Sequence, residues 1–289
     1  MDTQQVLAQV EAAFSRGEYG RVVYSSDQYL KNHAFEPVWP QLLLWKGIAL
    51  QRVNPAWQGQ AISCFREGIA LAGKDRPTKA RLMVALAKIH AELGDCTSCE
   101  KLMKEFKRVA RDRDQGVMRW AAHMWYNYGC TLDNAFRYTE AAPAFSAAVE
   151  TAREFGVERM LGSALHNLGG VYLNLGRLTE AKATMQQAEV HAPGDFAAKL
   201  LSRRAEYSLA AGDLAGAQHW VTEALLHPLV DDMTRADVYF TWAQVLHRLN
   251  LTQQAYDKAL QALDFAVRDM HLAGIHKLNG FLQLLGPRT

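Results

Sequence analysis

The chain has 289 residues, 49% of them hydrophobic, with 32 Lys and Arg against 30 Asp and Glu and a net charge of +2. So even a balance carries no electrostatic footprint for nucleic acid, and no apolar run approaches the roughly 18 residues of a membrane span. With only 8 prolines, the composition suits a long array of helices that bury faces against one another.

One stretch repeats. Asn127-Tyr128-Gly129 followed by Glu140-Ala141-Ala142 recurs forty positions later as Asn167-Leu168-Gly169 followed by Glu180-Ala181-Lys182. Self-similarity at such a period predicts a repeat architecture. In chain order, a first helical hairpin is expected from about Thr3. It has only Gly17 and a loose apolar stripe, as befits a terminal unit. The second starts near Pro40, with Leu43, Gly47 and Leu50 before Ala61, Phe65 and Gly68, and carries an insertion at Asn54 to Trp57. The third starts near Ala80 and the fourth near Ala122, the latter with Trp125, Tyr128, Gly129 and Leu132, then Ala141, Phe145 and Ala148.

The clearest unit is the fifth, from Gly162 to Asp195, with Pro193 beyond its second helix. Leu165, Leu168, Gly169 and Tyr172 share one helix face, as do Ala181, Met185 and Ala188, and Gly176 stands between them where a helix end wants glycine. Hairpins near Ala198 and Ala236 follow. An amphipathic helix over 270–285, with Leu272, Ile275, Leu278, Leu282 and Leu285, is expected to seal the end of the stack.

These residues resemble the tetratricopeptide repeat, in which a bulky residue, Leu-Gly and an aromatic mark helix A, and small residues around a large one mark helix B. The resemblance implies an all-α, right-handed superhelical solenoid of about seven hairpins plus a capping helix, one domain over residues 1–289. The start-to-start spacings of about 36 to 42 exceed the roughly 34 of the basic motif. In that spacing the middle of the chain resembles bacterial peptide-sensing regulators of the Rap and NprR group, and adaptors of the Pins and kinesin-light-chain type.

No active site is expected. Cys96-Thr97-Ser98-Cys99 has the spacing of half a zinc or redox motif, but no second pair follows, and Cys99 falls on a small-residue core position. The ten histidines form no His-Glu-x-x-His, and there is neither a phosphate-cradling glycine loop nor a Gly-x-Ser-x-Gly. No catalytic residue, metal or cofactor is therefore assigned. The basic run from Lys101 to Arg113 reads as a solvated helix face. Met1 to Gln5 lacks the basic and apolar parts of a signal peptide, and the expected location is cytoplasmic.

In tetratricopeptide arrays the A helices line a concave groove, and the ligand-facing candidates follow from that resemblance. They are His123, Tyr126, Asn127 and Asn134 in the fourth repeat, and His166, Asn167 and Asn174 in the fifth. Asn127 and Asn134 are seven apart, as are Asn167 and Asn174, so adjacent A helices present a ladder of four asparagines. A carboxamide both donates and accepts, which matches the backbone of an extended peptide. The alternative is that these amides bridge neighbouring helices. Lys199, Arg203, Gln244 and Arg248 extend the face, with Arg81 and Lys88 on the other side. If all point inward, they favour an acidic or C-terminal carboxylate ligand.

A chaperone-tail clamp is not expected, because Tyr126, Cys130, His166 and Gly170 stand at its key positions. The expected partner is a peptide or protein segment, with neither nucleic acid nor membrane bound directly. The competing reading is a structural scaffold that uses its convex or terminal faces, with which a homodimer is compatible. A regulator-directed phosphatase resembling part of the Rap group would need an N-terminal bundle that the chain does not recognisably have.

Overall fold

A computed structural model describes residues 3–191, 196–228, 231–269 and 271–286. Pro193, Asp195 and Met270 lie outside the described residues. Among those described, there are sixteen α-helices and one 3-10 turn, Pro55–Trp57, and no strand. The helices pair in succession: α1 Thr3–Ser15 with α2 Tyr19–Asn32, α3 Trp39–Val53 with α4 Gln58–Leu71, α5 Arg76–Glu92 with α6 Cys96–Val109. After a one-turn helix, α7 Gln115–Met118, come α8 Ala121–Asn134 with α9 Tyr138–Glu154, and α10 Glu158–Asn174 with α11 Leu178–His191. Then follow α12 Ala197–Ala210 with α13 Leu214–Leu226, α14 Asp232–Arg248 with α15 Thr252–Arg268, and finally α16 Leu272–Leu285.

Helices α5 and α10 begin about four residues before the apolar pattern does. For α5 the reason is local: Asp75 accepts a hydrogen bond from the Thr78 amide at 3.1 Å, and Pro77 fits the first turn. Asp95, Asp213 and Asp231 cap α6, α13 and α14 in the same way.

The second, fourth and fifth hairpins close where a glycine meets a large side chain, Phe65, Phe145 and Met185. A Cβ built on Gly47 would lie 2.4 Å from the Phe65 ring, and one on Gly129 would lie 2.8 Å from Phe145. Only glycine lets those helices approach so closely. Opposite them Ala61, Ala141, Ala181, Ala217 and Ala255 are fully buried at equivalent points of successive B helices. Cys99 takes the same place in the third hairpin, also fully buried, and burial pushes its thiol up to about 11. It is a core residue there. The basic residues Lys101, Lys104, Lys107, Arg108, Arg111 and Arg113 are exposed, with Lys107 lying over the Trp125 ring.

The inner wall follows from which helices touch. Successive A helices α3, α5, α8, α10, α12 and α14 contact one another directly, whereas each B helix packs mainly on its own A helix and the next. A stack in which one layer is drawn together and the other splayed curves toward the drawn-in layer. The A helices therefore form the concave side. No helix among the described residues is long and apolar enough to cross a membrane.

Candidate functional site

The inner wall divides into two parts by how fully its polar groups find partners within the chain. Around α8 and α10 they are largely satisfied. Asn127 is buried and its Nδ2 donates to the Val84 carbonyl at 3.1 Å, and one turn pair further on Asn134 Nδ2 donates to the Ala91 carbonyl at 3.0 Å. Both acceptors lie in α5, so this stripe ties adjacent A helices together. Asn167 Nδ2 donates to the Tyr126 hydroxyl at 3.1 Å and approaches Cys130 Sγ at 3.5 Å. Burial drives the Tyr126 phenol well above its ordinary range and pushes the Cys130 thiol up to about 12, so both are neutral. Asn174, at the end of α10, is exposed. Of the four asparagines, three thus make the bridging contacts, and their carboxamide oxygens are what the ladder could still offer a ligand.

The next part of the wall is ionic. Arg203 of α12 pairs with Glu206 at 2.5 Å, and its Nη2 donates to His166 Nε2 at 3.2 Å. Gly170 makes this crossing feasible, because a Cβ there would lie 2.5 Å from Arg203 Nη1. Burial, reinforced by the charges of Arg203 and Lys199, holds His166 neutral. Since Nε2 accepts from Arg203, the imidazole proton resides on Nδ1, which is buried without a hydrogen-bond partner. For Arg203 itself burial opposes the charge, but Glu206, Asp237 and Asp133 together outweigh it and the guanidinium stays protonated. Burial raises Asp133 to about 6 against the pull of Arg203 and Lys277, and raises Asp237 in the same direction, with Glu206 adding to the effect. Lys199 pairs with Asp231 at 3.2 Å and lies over the Phe196 ring. Gln244 is half-buried and Arg248 exposed on α14.

The last helix belongs to this region too. It stacks on α15, and it also reaches the far side of the groove, where His276 meets Phe136 with ring centroids 5.8 Å apart. Lys277 lies over Phe240, and Phe281 packs edge-on to Phe240 and His247. Only Leu278 of α16 is buried. The expected role for this helix was to seal the end of the stack; it also spans the interior beside Asp133 and Asp237.

In the N-terminal part of the wall the side chains are aromatic and less committed. Trp45 of α3, Arg81 of α5 and Trp120 at the start of α8 stand on three consecutive A helices, and the Arg81 guanidinium carbon lies 5.4 Å from the Trp45 ring and 5.3 Å from the Trp120 ring. His123, half-buried, packs against Trp120 at 5.4 Å, and burial lowers its pKa. The sequence reading named Arg81 but passed over both tryptophans. A signal existed: Trp45 stands two residues before Gly47, the place that Asn127 and Asn167 occupy before Gly129 and Gly169.

A curved wall of paired helices with side chains presented from successive repeats defines an α-solenoid recognition scaffold. More narrowly, the tetratricopeptide repeat profile matches residues 122–155 and 162–189, the fourth and fifth hairpins. Those two hairpins are tetratricopeptide repeats, and the fold of the whole chain resembles that of tetratricopeptide repeat and Rap proteins. Among solved structures, a tetratricopeptide repeat protein from Parabacteroides merdae is 14% identical with a TM-score of 0.67, each chain covering 99% of the other. The apo form of RapI is 12% identical with a TM-score of 0.57, over 98% of this chain and 97% of that one. A Rap protein complexed with Competence and Sporulation Factor is 13% identical with a TM-score of 0.54, over 98% of both. No curated protein matches the sequence.

Proposed function

We propose that this chain is a non-enzymatic binding module that takes an extended peptide or protein segment along its inner wall, as a regulatory sensor or adaptor. One observation carries the reading. Six consecutive A helices touch in series, and the first four of them, α3 to α10, present partly exposed aromatic, cationic and amide side chains, Trp45, Arg81, Asn134 and Asn167 among them. Such a series suits a ligand that is long and narrow, because its contacts are spread over repeats and not gathered in a pocket. The similar fold of a Rap protein complexed with a factor supports the same use of the scaffold. Curvature is the natural output, since each repeat touches only its neighbours and small rotations accumulate.

Selection of random peptides on the immobilised chain, followed by hydrogen exchange with the enriched peptide bound, tests this. Slowed exchange on the A helices α3 to α10 is expected. Protection confined to B helices would instead favour the scaffold reading. That reading has its own support in α16, where Leu272 and Leu284 are 58% and 71% exposed on a terminal face.

A further inference from the structure

The cations of the inner wall differ sharply in what neutralises them. Lys88 pairs with Glu92, Lys199 with Asp231 and Arg203 with Glu206. Arg81 has neither an ion pair nor a hydrogen bond among the described residues, although it is about half withdrawn from water between two indoles. The charges that reach it are those of Glu11, Arg119 and Asp75, none within pairing distance. Glu11 is itself held, accepting from the Trp45 indole N–H at 3.2 Å, so it fixes the ring and not the guanidinium.

We propose that Arg81, flanked by Trp45 and Trp120, is a receptor for a carboxylate on the segment that binds the inner wall. The inference rests on the groove reading above and names the chemistry that it would recognise there. Stacking on two rings orients the guanidinium before any ligand arrives, so its N–H fork is preorganised for a planar, bidentate acceptor. A cation partly stripped of water and lacking a counter-ion gains more from an incoming anion than one already paired. The local balance also sets the ligand's charge. Arg81 and Arg119 are matched in number by Glu11 and Asp75, so the surroundings sum to zero and oppose a doubly charged phosphate more than a singly charged carboxylate. Arg119 also lines an open cleft of about 780 Å³ with Gln115, Gly116, Glu154 and Phe155, space for the flanking part of a ligand.

The carboxylate could be a chain terminus or an acidic side chain, and the experiment separates them. Three labelled random peptide pools are titrated against the full chain: one without acidic residues and with a free C-terminus, the same pool amidated, and an amidated pool with one Glu. In parallel, acetate alone is titrated while the indole N–H resonances of Trp45 and Trp120 are followed. Acetate should shift both resonances in the wild type and neither in Arg81→Met. At least one carboxylate pool should bind about 10- to 100-fold more tightly than the neutral pool, and Arg81→Met should erase that margin. Arg81→Lys, which keeps the charge without the fork, should retain only part of it and guards against a folding defect in the first variant. If the neutral pool binds as tightly as the others, or Arg81→Met changes nothing, the receptor is refuted while the groove reading stands. If acetate shifts the indoles but no pool binds, the receptor stands and the groove reading fails.

Discussion

Phe136 and His276 lie 140 positions apart in the chain, yet their rings are 5.8 Å apart. The contact joins the turn of the fourth hairpin to α16. Phe136 makes it from an unusual backbone, φ 59°, at the turn position where Gly94, Gly176 and Gly212 stand in other hairpins. A left-handed aromatic residue costs about 1 kcal/mol or more, so the strain is offset by what the ring reaches.

Phe136→Gly should therefore change global stability little. Relief of about 1 kcal/mol of backbone strain roughly cancels the loss of an aromatic contact of about 0.5 to 1.5 kcal/mol. The effect should appear locally, as faster amide exchange in α16 at nearly unchanged Tm. Unaltered protection of α16 would show that the ring contact does not hold that helix.

Gly170 and Gly280 both lie inside helices, yet alanine should act oppositely at the two sites. At Gly280 nothing lies within 4 Å of a new Cβ, and Gly280→Ala should stabilise by about 0.5 to 1 kcal/mol. At Gly170 the new atom meets the Arg203 guanidinium, itself pinned by Glu206 and His166. Gly170→Ala should lose about 1 kcal/mol net in urea unfolding. Equal gains at both sites would mean that Arg203 moves aside freely.

Asp133 makes stability depend on pH in a direction opposite to most carboxylates. Burial raises it from an ordinary 3.8 to about 6, so the folded chain binds more protons than the unfolded one between those values. Its stabilising contribution is present below about pH 4 and is lost as pH rises through about 6. Asp133→Asn should flatten that part of the stability curve and raise stability at pH 7 by up to about 3 kcal/mol. Asp237, raised in the same direction, should leave a residual slope. Chemical denaturation at pH 4, 5, 6 and 7 decides the matter, and an unchanged slope would remove Asp133 from the interior.

Hairpin order was legible because glycine and alanine sit where helices cross, and spacing alone reveals that: Gly129 before Phe145, Ala181 before Ala188. The A-helix face was legible for the same reason. What the one-dimensional pattern could not carry was which inward side chains are already engaged. Asn127 to Val84 and Asn134 to Ala91 each span 43 positions and depend on how far one repeat rotates on the next. The charge set of Asp133, Arg203, Asp237 and Lys277 comes from three separate hairpins and the last helix, and it assembles only because the stack brings them together. Trp45 and Trp120 were hidden differently, since an aromatic residue in a helical pattern reads first as core.

The asparagines give the sharpest contrast with Arg81. If Asn127 and Asn167 bridge helices, the double change to alanine removes one donor each to Val84 and Tyr126 and should lower stability by about 0.5 to 1.5 kcal/mol per site. Affinity for the carboxylate pools should then stay close to that of the wild type, because the anchor three helices wide around Arg81 is untouched. If the carboxamides instead grip a ligand backbone through their free oxygens, affinity should fall roughly 5- to 150-fold with stability nearly intact. Tm and dissociation constant, measured on the same double variant beside Arg81→Met, assign the two roles independently. Loss of affinity in the asparagine variant but not in Arg81→Met would return the site to the ladder.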